Sequence, residues 1–312
     1  MRASFVIVNY NRRDELLITI AKTKELIVDD RNYELIVVDN ASVDGSAAAV
    51  EAAHPDVIVL KRAQNIGAPA WNDGFRIASG KYFIIIDDDS HIKSGLEAAL
   101  DYLDHYEDIG VLALNVLTGP YTSKLWNWKD KQQIAGFIGC GAIFRKETYD
   151  KVGGYADWIF LYVNEWDLGL RVVDAGYRIE FFEACEVIHR ASAINRTNKR
   201  LMMFVTKHEM AIVYKYFPAR RWKYLLRIVI NATKGIKTLS LKGIWWNILG
   251  MNEFLKIRKS LVYTPVSPKT QELFLQDFKG TRPNFSFIKR ELSGLLVPGD
   301  KAAQPEETKA YP

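Results

Sequence analysis

Three consecutive aspartates at residues 87–89 are the part of this sequence best suited to chemistry. They follow five apolar residues at 82–86, a run typical of a strand buried on both faces of a parallel sheet. Ligands of open α/β sheets bind beyond the carboxyl ends of the strands, and hard divalent cations prefer oxygen ligands. The spacing of Asp87 and Asp89 lets both carboxylates reach one metal ion. The alternative is a solvated acidic turn that caps the following helix.

A second group of acids lies in the first turn of a predicted helix that has Asn164 as its N-cap. The helix dipole favours ionised carboxylates in this turn, and a general base must be ionised. Asp167 can pair with Arg171 four residues later, whereas Glu165 has a glycine at that spacing. We therefore predict Glu165 as the base and keep Asp167 as a second catalytic candidate whose alternative is a structural ion pair. Both acids could also serve only to stabilise the helix.

Alternating strands and helices must position these groups. The predicted strands lie at residues 4–8, 34–38, 57–60 and 82–86. Strands alternating with helices of this length indicate βαβ units and an α/β fold with a mostly parallel central sheet. Asn9, Asp39 and Asp87 end the first, second and fourth strands, so their side chains are expected to converge on one edge. His189 ends a later strand and is either a structural histidine or a further metal ligand.

Composition excludes several classes of protein. The chain has 312 residues, of which 48% are hydrophobic and 25% are charged, as in soluble globular proteins. Its two cysteines form no CxxC pair, which argues against a disulfide scaffold and a cysteine-rich zinc site. The sequence has neither a signal-peptide core nor an apolar run long enough to span a membrane. A dinucleotide-binding GxGxxG turn and a P-loop are also missing. We therefore expect a cytoplasmic protein.

Charge is distributed unevenly along the chain. Residues 195–264 contain fifteen Lys or Arg against two acids, a balance of +13 within a chain whose net charge is +5. This contrast predicts a domain limit near residue 200. We expect an α/β domain over 1–199, a basic amphipathic helical region over 200–264 and a C-terminal segment over 265–312. The last part of that segment, from about residue 298, is predicted to be disordered because it is rich in Pro, Ala and charge.

Four segments in this order resemble family 2 glycosyltransferases of the GT-A fold. They lie at residues 5–12, 35–46, 65–89 and 153–189. They include Val-Asn-Tyr-Asn-Arg, Val-Val-Asp-Asn-Ala-Ser-Val-Asp-Gly-Ser, the Asn-Ile-Gly turn that precedes the aspartates, and Asn-Glu-Trp-Asp-Leu-Gly-Leu-Arg followed by His189. The resemblance spans about residues 4–192 and implies a mostly parallel sheet flanked by helices, with the basic helices as an extension. Details of the loops are similar to rhamnosyltransferase-like members.

The resemblance implies a binding site for a nucleotide-diphospho sugar donor. Asp39 would read the base of the nucleotide. The expected donor-binding residues are Asn9, Asn11, Asp39, Asn65, Asp87 and Asp88. Asp87 and Asp89 would bind a divalent metal, Mg²⁺ or Mn²⁺, with Asp89 as the more direct ligand. His189 matches a histidine near the leaving diphosphate and completes the predicted metal set.

The resemblance also implies the position of the base and of the acceptor. Glu165 stands where the family usually has an aspartate, because the common Glu-Asp-x-Asp is Asn-Glu-Trp-Asp at residues 164–167. Its side chain reaches about one methylene further than an aspartate. Trp158 and Trp166 are expected on the acceptor side, although burial would explain their aromatic rings equally. Cys140, in a glycine-rich turn near the acceptor, is expected to be a small packed residue.

The expected activity is inverting, metal-dependent transfer of a sugar to a hydroxyl of a glycan or lipid-linked acceptor, in cell-surface polysaccharide assembly. One alternative is a catalytically silent sugar-nucleotide-binding or membrane-docking module. A sugar nucleotidyltransferase is disfavoured because the loop after the first strand, residues 9–13, lacks glycine.

The basic helical region suggests contact with a membrane. Trp245 and Trp246 lie close to Lys242, a combination typical of interfacial helices on anionic lipid. We expect the protein to be peripheral at the cytoplasmic membrane face. The alternative is a helical cap packed on the catalytic domain. Nucleic-acid binding is not expected, because no nucleic-acid-binding module is recognisable.

Overall fold

The amino-terminal half of the central sheet consists of four parallel strands. The computed structural model describes residues 1–27, 30–118, 123–124, 128–192, 197–234 and 241–281. The four strands are β1 (Ala3–Asn9), β2 (Tyr33–Asp39), β3 (Ile58–Lys61) and β4 (Tyr82–Asp87). They lie in the order β3-β2-β1-β4, with all three pairings parallel. The predicted strands are confirmed, and Asn9, Asp39 and Asp87 end three of them.

In the second half of the sheet, one antiparallel strand is followed by two strands that again run in the direction of the first four. Its strands are β5 (Ser90–Ser94), β6 (Ile109–Thr118), β7 (Ser123–Lys124), β8 (Gln133–Ile134), β9 (Ala142–Arg145) and β10 (Arg178–His189). The order continues β4-β9-β6-β10-β5. Because β9 is antiparallel to both β4 and β6, and β10 is parallel to β6, strands β6 and β10 run in the direction of β4. The end of β10 at His189 therefore lies at the same edge as the end of β4.

Helices cover both faces of the sheet because its strands are apolar on both faces. These helices are α1 (Arg13–Leu26), α2 (Ser46–Ala53), α3 (Trp71–Ile77), α4 (Leu96–His105), α5 (Lys146–Val152) and α6 (Asn164–Asp174). Along β1, Phe5 and Ile7 join one buried cluster, which contains residues of α1, α2 and α4. Val6 and Val8 join the other, which contains residues of α3 and α6. Alternate side chains thus fill two cores, and the α/β architecture is confirmed.

The start of α6 differs from the prediction. Asn164 is the first helical residue, and Val163 occupies the N-cap position with φ 64°. Tyr162 before it also has a positive φ of 63°. The chain therefore enters the helix through two left-handed residues, and the predicted Asn164 cap is wrong. Glu165 and Asp167 nevertheless lie in the first turn, as predicted.

Four further helices pack against the sheet domain: α7 (Asn198–Tyr216), α8 (Arg221–Lys234), α9 (Leu241–Ile257) and α10 (Pro268–Thr281). A third buried cluster joins Trp166 and Leu170 of α6 to residues of α7, α8 and α10. The C-terminal helical region is confirmed, while the exact limit near residue 200 stays a prediction. Within the described ranges, no helix is long and apolar enough to cross a bilayer. Residues 298–312, predicted to be disordered, lie outside the described ranges.

Helix α10 is fastened to the sheet domain by one buried carboxyl group. Asp277 accepts hydrogen bonds from the indole Nε1 of Trp128 at 2.8 Å and from the backbone N–H of Ala135 at 2.9 Å. Burial raises the pKa of Asp277 to about 6, although both N–H donors favour the carboxylate. Ala135 lies directly after β8 and belongs to the same buried cluster as Trp166. The C-terminal helix therefore supports the segment that leads to Cys140.

We expect Asp277→Ala to lower the free energy of unfolding by about 2–4 kcal/mol. The substitution leaves two buried N–H donors without acceptors, and each such group costs about 1–3 kcal/mol. Urea unfolding followed by circular dichroism measures the loss. Glu272→Ala is the matched control, because Glu272 is an exposed acid on the same helix, and it should change stability by less than about 0.5 kcal/mol. Equal effects of the two substitutions would contradict the role of Asp277.

Candidate active site

The ends of β1 and β2 form a polar network around Asp39. Asn9 Nδ2 donates to Asp39 Oδ1 at 3.1 Å and to Ser42 Oγ at 3.0 Å, and the Ser42 backbone N–H donates to Asp39 Oδ2 at 3.1 Å. Asn11 Oδ1 accepts from the backbone N–H of Val43 at 2.8 Å. Asn9 and Asp39 are buried. The structure therefore brings Asn9, Asn11 and Asp39 together, as the sequence predicts, with their side chains fixed by the fold.

Asn65 lies in a neighbouring loop and orders it. Its Oδ1 accepts from Asn40 Nδ2 and from the backbone N–H of Gly67, both at 2.9 Å. Gly67 has φ 71°, and a side-chain carbon there would overlap the carbonyl oxygen of Phe160. The backbone N–H of Ala68 donates to that carbonyl at 2.7 Å. Asn65 thus holds a loop that contacts the aromatic stretch around Trp158, and Asn40 is a member of the network that sequence reasoning missed.

The three aspartates lie in three different environments. Asp88 accepts from Arg12 Nη1 at 2.8 Å and from the Tyr10 backbone N–H at 3.3 Å. Asp89 accepts from the same Arg12 nitrogen at 3.2 Å and from the Ser192 backbone N–H at 2.9 Å. Both carboxylates are buried, whereas Asp87 is partly exposed. The alternative of a solvated acidic turn is therefore wrong.

Arg12 supplies the positive charge that the acidic run requires, and the sequence analysis did not assign it. Burial raises the pKa of Asp88 to about 7 despite the opposing charge of Arg12. Because its carboxylate is enclosed by Arg12 and the Tyr10 backbone, Asp88 is positioned to hold the first loop. The predicted contact between Asp88 and the donor is not supported by this geometry. From the sequence, only the position of Asp88 directly after the strand could be predicted.

His189 lies at the centre of a group of possible metal ligands. The ligand atoms of Asp87, Cys140 and His189 all lie within 4.8 Å of one another. His189 Nε2 is 3.3 Å from Asp89 Oδ1. Burial opposes protonation of His189, but Cys140 and Asp89 outweigh it and raise its pKa to about 10. The side chains of Asp87, Cys140 and His189 are therefore close enough to one another to be candidates for holding one ion. Asp89 stays a predicted ligand, while Cys140 joins the group unexpectedly.

Glu165 approaches this group from α6. A side-chain carbon at Gly139 would overlap Glu165 Oε1, so the carboxylate lies directly against the turn that carries Cys140. The hydroxyl of Tyr155 is close enough to both parts of the site for their charges to act on it. Burial raises the pKa of its hydroxyl well above the usual value, and the charges of Glu165 and Asp87 raise it further. A candidate base and a candidate metal ligand therefore lie near one phenol.

Residues 4–153 match the profile described as Glycosyl transferase family 2. The match includes the strands that carry Asn9 and Asp39, the aspartates and the turn at Cys140, and it ends before Glu165. Over these 150 of its 312 residues, the chain is similar to glycosyltransferase family 2.

Comparison with a curated protein and with solved structures supports the same fold. A poly(ribitol-phosphate) beta-glucosyltransferase of Bacillus spizizenii is 32% identical over 105 residues, 32% of this chain and only 16% of that protein. The mannosyltransferase PcManGT from Pyrobaculum calidifontis, solved with GDP-Man and Mn²⁺, has a TM-score of 0.58 at 18% identity and covers 95% of this chain and 85% of its own. S. aureus TarS 1-349 with UDP-GlcNAc has a TM-score of 0.59 at 15% identity, covering 91% and 90%. These structures confirm the GT-A fold.

Asp167 lies in a structural environment. It is fully buried and accepts from Arg171 Nη2 at 2.7 Å and Nε at 3.1 Å. Its other oxygen accepts from the Tyr216 hydroxyl at 2.6 Å. The predicted pairing with Arg171 is present, and Tyr216 of α7 adds to it. A direct catalytic role for Asp167 is not supported, because its carboxylate is enclosed.

The two tryptophans predicted on the acceptor side differ in exposure. Trp166 is 2% exposed, its indole packs against Gly136, and its ring meets the ring of Phe274 edge-on at 5.5 Å. Its predicted acceptor contact is wrong, because the ring is part of the third buried cluster. Trp158 is partly exposed beside His208, and its acceptor role stays a prediction.

We expect Arg171→Met to lower the free energy of unfolding by about 3–5 kcal/mol, because it leaves the Asp167 carboxylate buried without its ionic partner. Urea unfolding measures this change. Lys22→Met is the control, since Lys22 and Glu25 form an exposed pair on α1, and breaking it should cost at most about 1 kcal/mol. A loss below about 1 kcal/mol for Arg171→Met would show that Asp167 does not depend on this pair.

Proposed function

We propose that the protein transfers a sugar from a nucleotide-diphospho donor to a hydroxyl of a glycan or lipid-linked acceptor, with inversion at the anomeric carbon. The observation that carries this proposal is the placement of Glu165 beside the turn that bears Cys140, next to the group formed with Asp87 and His189. A base and a cation-binding group at one sheet edge are the two parts that such a displacement needs.

In this proposal, the donor lies extended along the edge of the sheet. Asp39 and the asparagines around it bind the nucleoside, because their polar atoms form a fixed network at the ends of β1 and β2. The diphosphate lies towards Asp87 and His189. Asp87 and His189 would hold a divalent ion there, and such an ion would supply positive charge for the leaving diphosphate. PcManGT, solved with GDP-Man and Mn²⁺, and TarS, solved with UDP-GlcNAc, support a nucleotide sugar and a metal.

Glu165 acts as the general base. Its carboxylate takes the proton of the acceptor hydroxyl, while the hydroxyl oxygen forms a bond to the anomeric carbon. The bond from that carbon to the diphosphate oxygen breaks, and the nucleoside diphosphate leaves with the electron pair. The first turn of α6 stabilises the ionised form of Glu165 before the reaction.

In this proposal, the acceptor is a polymer or a lipid-linked glycan of the cell surface. The relative named as a poly(ribitol-phosphate) beta-glucosyltransferase supports a polyol-phosphate or glycan hydroxyl as acceptor. The names of the relatives refer to glucose, mannose and N-acetylglucosamine rather than rhamnose. They therefore favour a hexose donor, and the rhamnosyltransferase-like loops stay a prediction.

The proposal is tested by nucleotide binding and turnover on wild type and Glu165→Gln. We expect one of UDP, GDP, dTDP and CDP to raise Tm with Mn²⁺ in both proteins, since a ligand at 100 times its Kd adds about 2.7 kcal/mol of stability. With the matching nucleotide sugar and a cell-wall glycan fraction, release of nucleoside diphosphate should fall about 10²–10⁴-fold in the variant, the usual contribution of a general base.

Glu147→Gln is the control for this test, because Glu147 is an exposed acid in the first turn of α5. It should leave both binding and turnover unchanged. Unchanged turnover in Glu165→Gln would remove Glu165 as the base. If no diphosphate binds wild type and no turnover occurs, the protein is a silent module rather than a transferase.

The same protein is proposed to lie on an anionic membrane surface through α8 and α9. Helix α8 buries Tyr224, Leu225 and Ile228 in the third cluster, yet a second apolar stripe faces outwards. That stripe consists of Trp222, Leu226 and Ile230, which are 64%, 59% and 38% exposed at four-residue spacing.

Helix α9 also presents apolar side chains to the outside, and basic residues accompany both helices. The exposed apolar residues of α9 are Leu241, Trp245, Ile248 and Leu255. Lys223 and Lys242 are exposed on the same two helices. Apolar side chains with interleaved bases match the interface of an anionic bilayer. Packing of these helices on the catalytic domain, which the third cluster shows, is compatible with this contact because it uses their other faces.

We expect the protein to sediment with phosphatidylglycerol-containing vesicles but not with pure phosphatidylcholine vesicles, and high salt should weaken binding. Trp222→Ala combined with Trp245→Ala should reduce the partition coefficient about tenfold or more, since an apolar side chain of this size contributes about 1.5–3 kcal/mol when buried. Tyr106→Ala is the control, because Tyr106 is an exposed aromatic residue beyond α4. Sedimentation that is independent of lipid charge, or the absence of any binding, would leave these helices as a cap only.

A further inference from the structure

A cysteine sulfur lies in the group of atoms that faces the diphosphate in the proposed function. Cys140 is 4% exposed and follows Gly139, the glycine that contacts Glu165. A tight turn fixes its position, because the Gly141 backbone N–H donates to the Ile138 carbonyl at 3.0 Å. The Cys140 carbonyl accepts from Ser90 Oγ at 3.2 Å. The turn therefore holds Cys140 towards the strand end that carries the aspartates.

The three donor atoms lie close enough to bind a single ion after an inward shift of roughly 1 Å. Sulfur, nitrogen and oxygen ligands lie about 2.0–2.3 Å from a tetrahedral zinc ion, so two of them are about 3.3–3.8 Å apart. The donor atoms of Asp87, Cys140 and His189 lie within 4.8 Å of one another. Sites that use three protein ligands also leave a fourth position open for water or substrate.

The mixture of donors favours a different ion from an all-oxygen site. Mg²⁺ prefers oxygen ligands and keeps much of its water. Thiolate and imidazole ligands select softer ions such as Zn²⁺ and Co²⁺. A thiol must lose its proton to the solvent when it binds such an ion. With a sulfur ligand, the site would therefore select a softer metal than a site formed by two aspartates and a histidine.

We propose that Asp87, Cys140 and His189 together bind one thiophilic divalent ion, of the Zn²⁺ or Co²⁺ type, with Cys140 as a direct ligand. This inference rests on the proposed function only for the placement of the diphosphate. Asp89 is a positioning residue, because it contacts His189 at 3.3 Å and is itself held by Arg12 and the Ser192 backbone. Such outer partners orient a ligating histidine.

A second observation supports an open position next to this ion. The Tyr155 side chain is 3% exposed, and its hydroxyl has no hydrogen-bond partner in the part of the chain that the structure describes. It lies near Asp87, Cys140 and Glu165, whose charges act on it. A buried hydroxyl without a partner costs free energy. A diphosphate oxygen at the open position would accept its hydrogen bond and remove that cost.

Cobalt spectroscopy tests this site without any assay of turnover. The full chain is stripped of metal with a chelator and titrated with Co²⁺. We expect a near-ultraviolet charge-transfer band from sulfur to cobalt in wild type, and its loss in Cys140→Ser. In competition with Zn²⁺, we expect Cys140→Ser to bind Zn²⁺ at least roughly 10–100-fold more weakly than wild type. Loss of an outer-shell partner already costs that much, and Cys140 is proposed as a direct ligand. Zn²⁺ should displace Co²⁺ from wild type at far lower concentration than Mg²⁺ does.

The second cysteine of the chain provides the matched control. Cys185 is also buried but lies outside the ligand group, in the cluster on the helix α1 side of the sheet. Cys185→Ser should keep the charge-transfer band. Cys140→Ala and a thermal melt of each variant separate ligand loss from misfolding. A band that is absent in wild type, or that persists in both folded Cys140 variants, would overturn the proposal. Metal-dependent binding of a nucleoside diphosphate in that case would leave the proposed function standing.

Discussion

The structure depends on the burial of negative charge at the end of β4. Two carboxylates, those of Asp88 and Asp89, are removed from water, and such burial is tolerated only when each charge is paired and hydrogen-bonded. Arg12 lies between them, and backbone N–H groups from the loops after β1 and β10 complete their shells. Three strand ends are thereby tied to one point. The site is organised before any ligand binds because the fold itself requires these contacts.

The position of Glu165 depends on a different set of contacts, which involve the C-terminal helices. Helix α6 is held by Arg171 and by Tyr216 of α7, both bound to Asp167. His208 of α7 contacts the carbonyl of Tyr162, one of the two left-handed residues before α6, at 3.1 Å. The basic helical region therefore helps to position the helix that carries Glu165.

The sequence alone predicted the features that depend on neighbouring residues. It did not predict those that depend on contacts between residues far apart in the chain. Apolar runs and their polar ends identified β1, β2 and β4, and parallel connections then placed Asn9, Asp39 and Asp87 at one edge. The pairing of Asp167 with Arg171 was predictable because it is one helical turn away. Arg12 and Asp88 lie 76 residues apart, and no periodicity links them.

Trp166 was misjudged, and the position of Cys140 beside Asp87 was missed, for related reasons. The burial of Trp166 is completed by Phe274 of α10, about a hundred residues later, so its own segment could not reveal it. Cys140 is indeed small and buried, but the reversed strand β9 that follows it lies beside β4. That pairing brings the turn to Asp87. A strand inserted against the direction of the sheet has no local signature that separates it from a parallel one.

The acidic triplet thus has unequal members, because one arginine serves two of its three carboxylates. Three bare carboxylates would repel one another, since like charges at about 4 Å cost about 4 kcal/mol at an effective dielectric of about 20. The single charge of Arg12 offsets one of the two buried charges, and the backbone N–H groups of Tyr10 and Ser192 bind the two carboxylates as well. Asp87 is left as the partly exposed member. Arg12 in the first loop therefore determines which carboxylate of the triplet stays accessible.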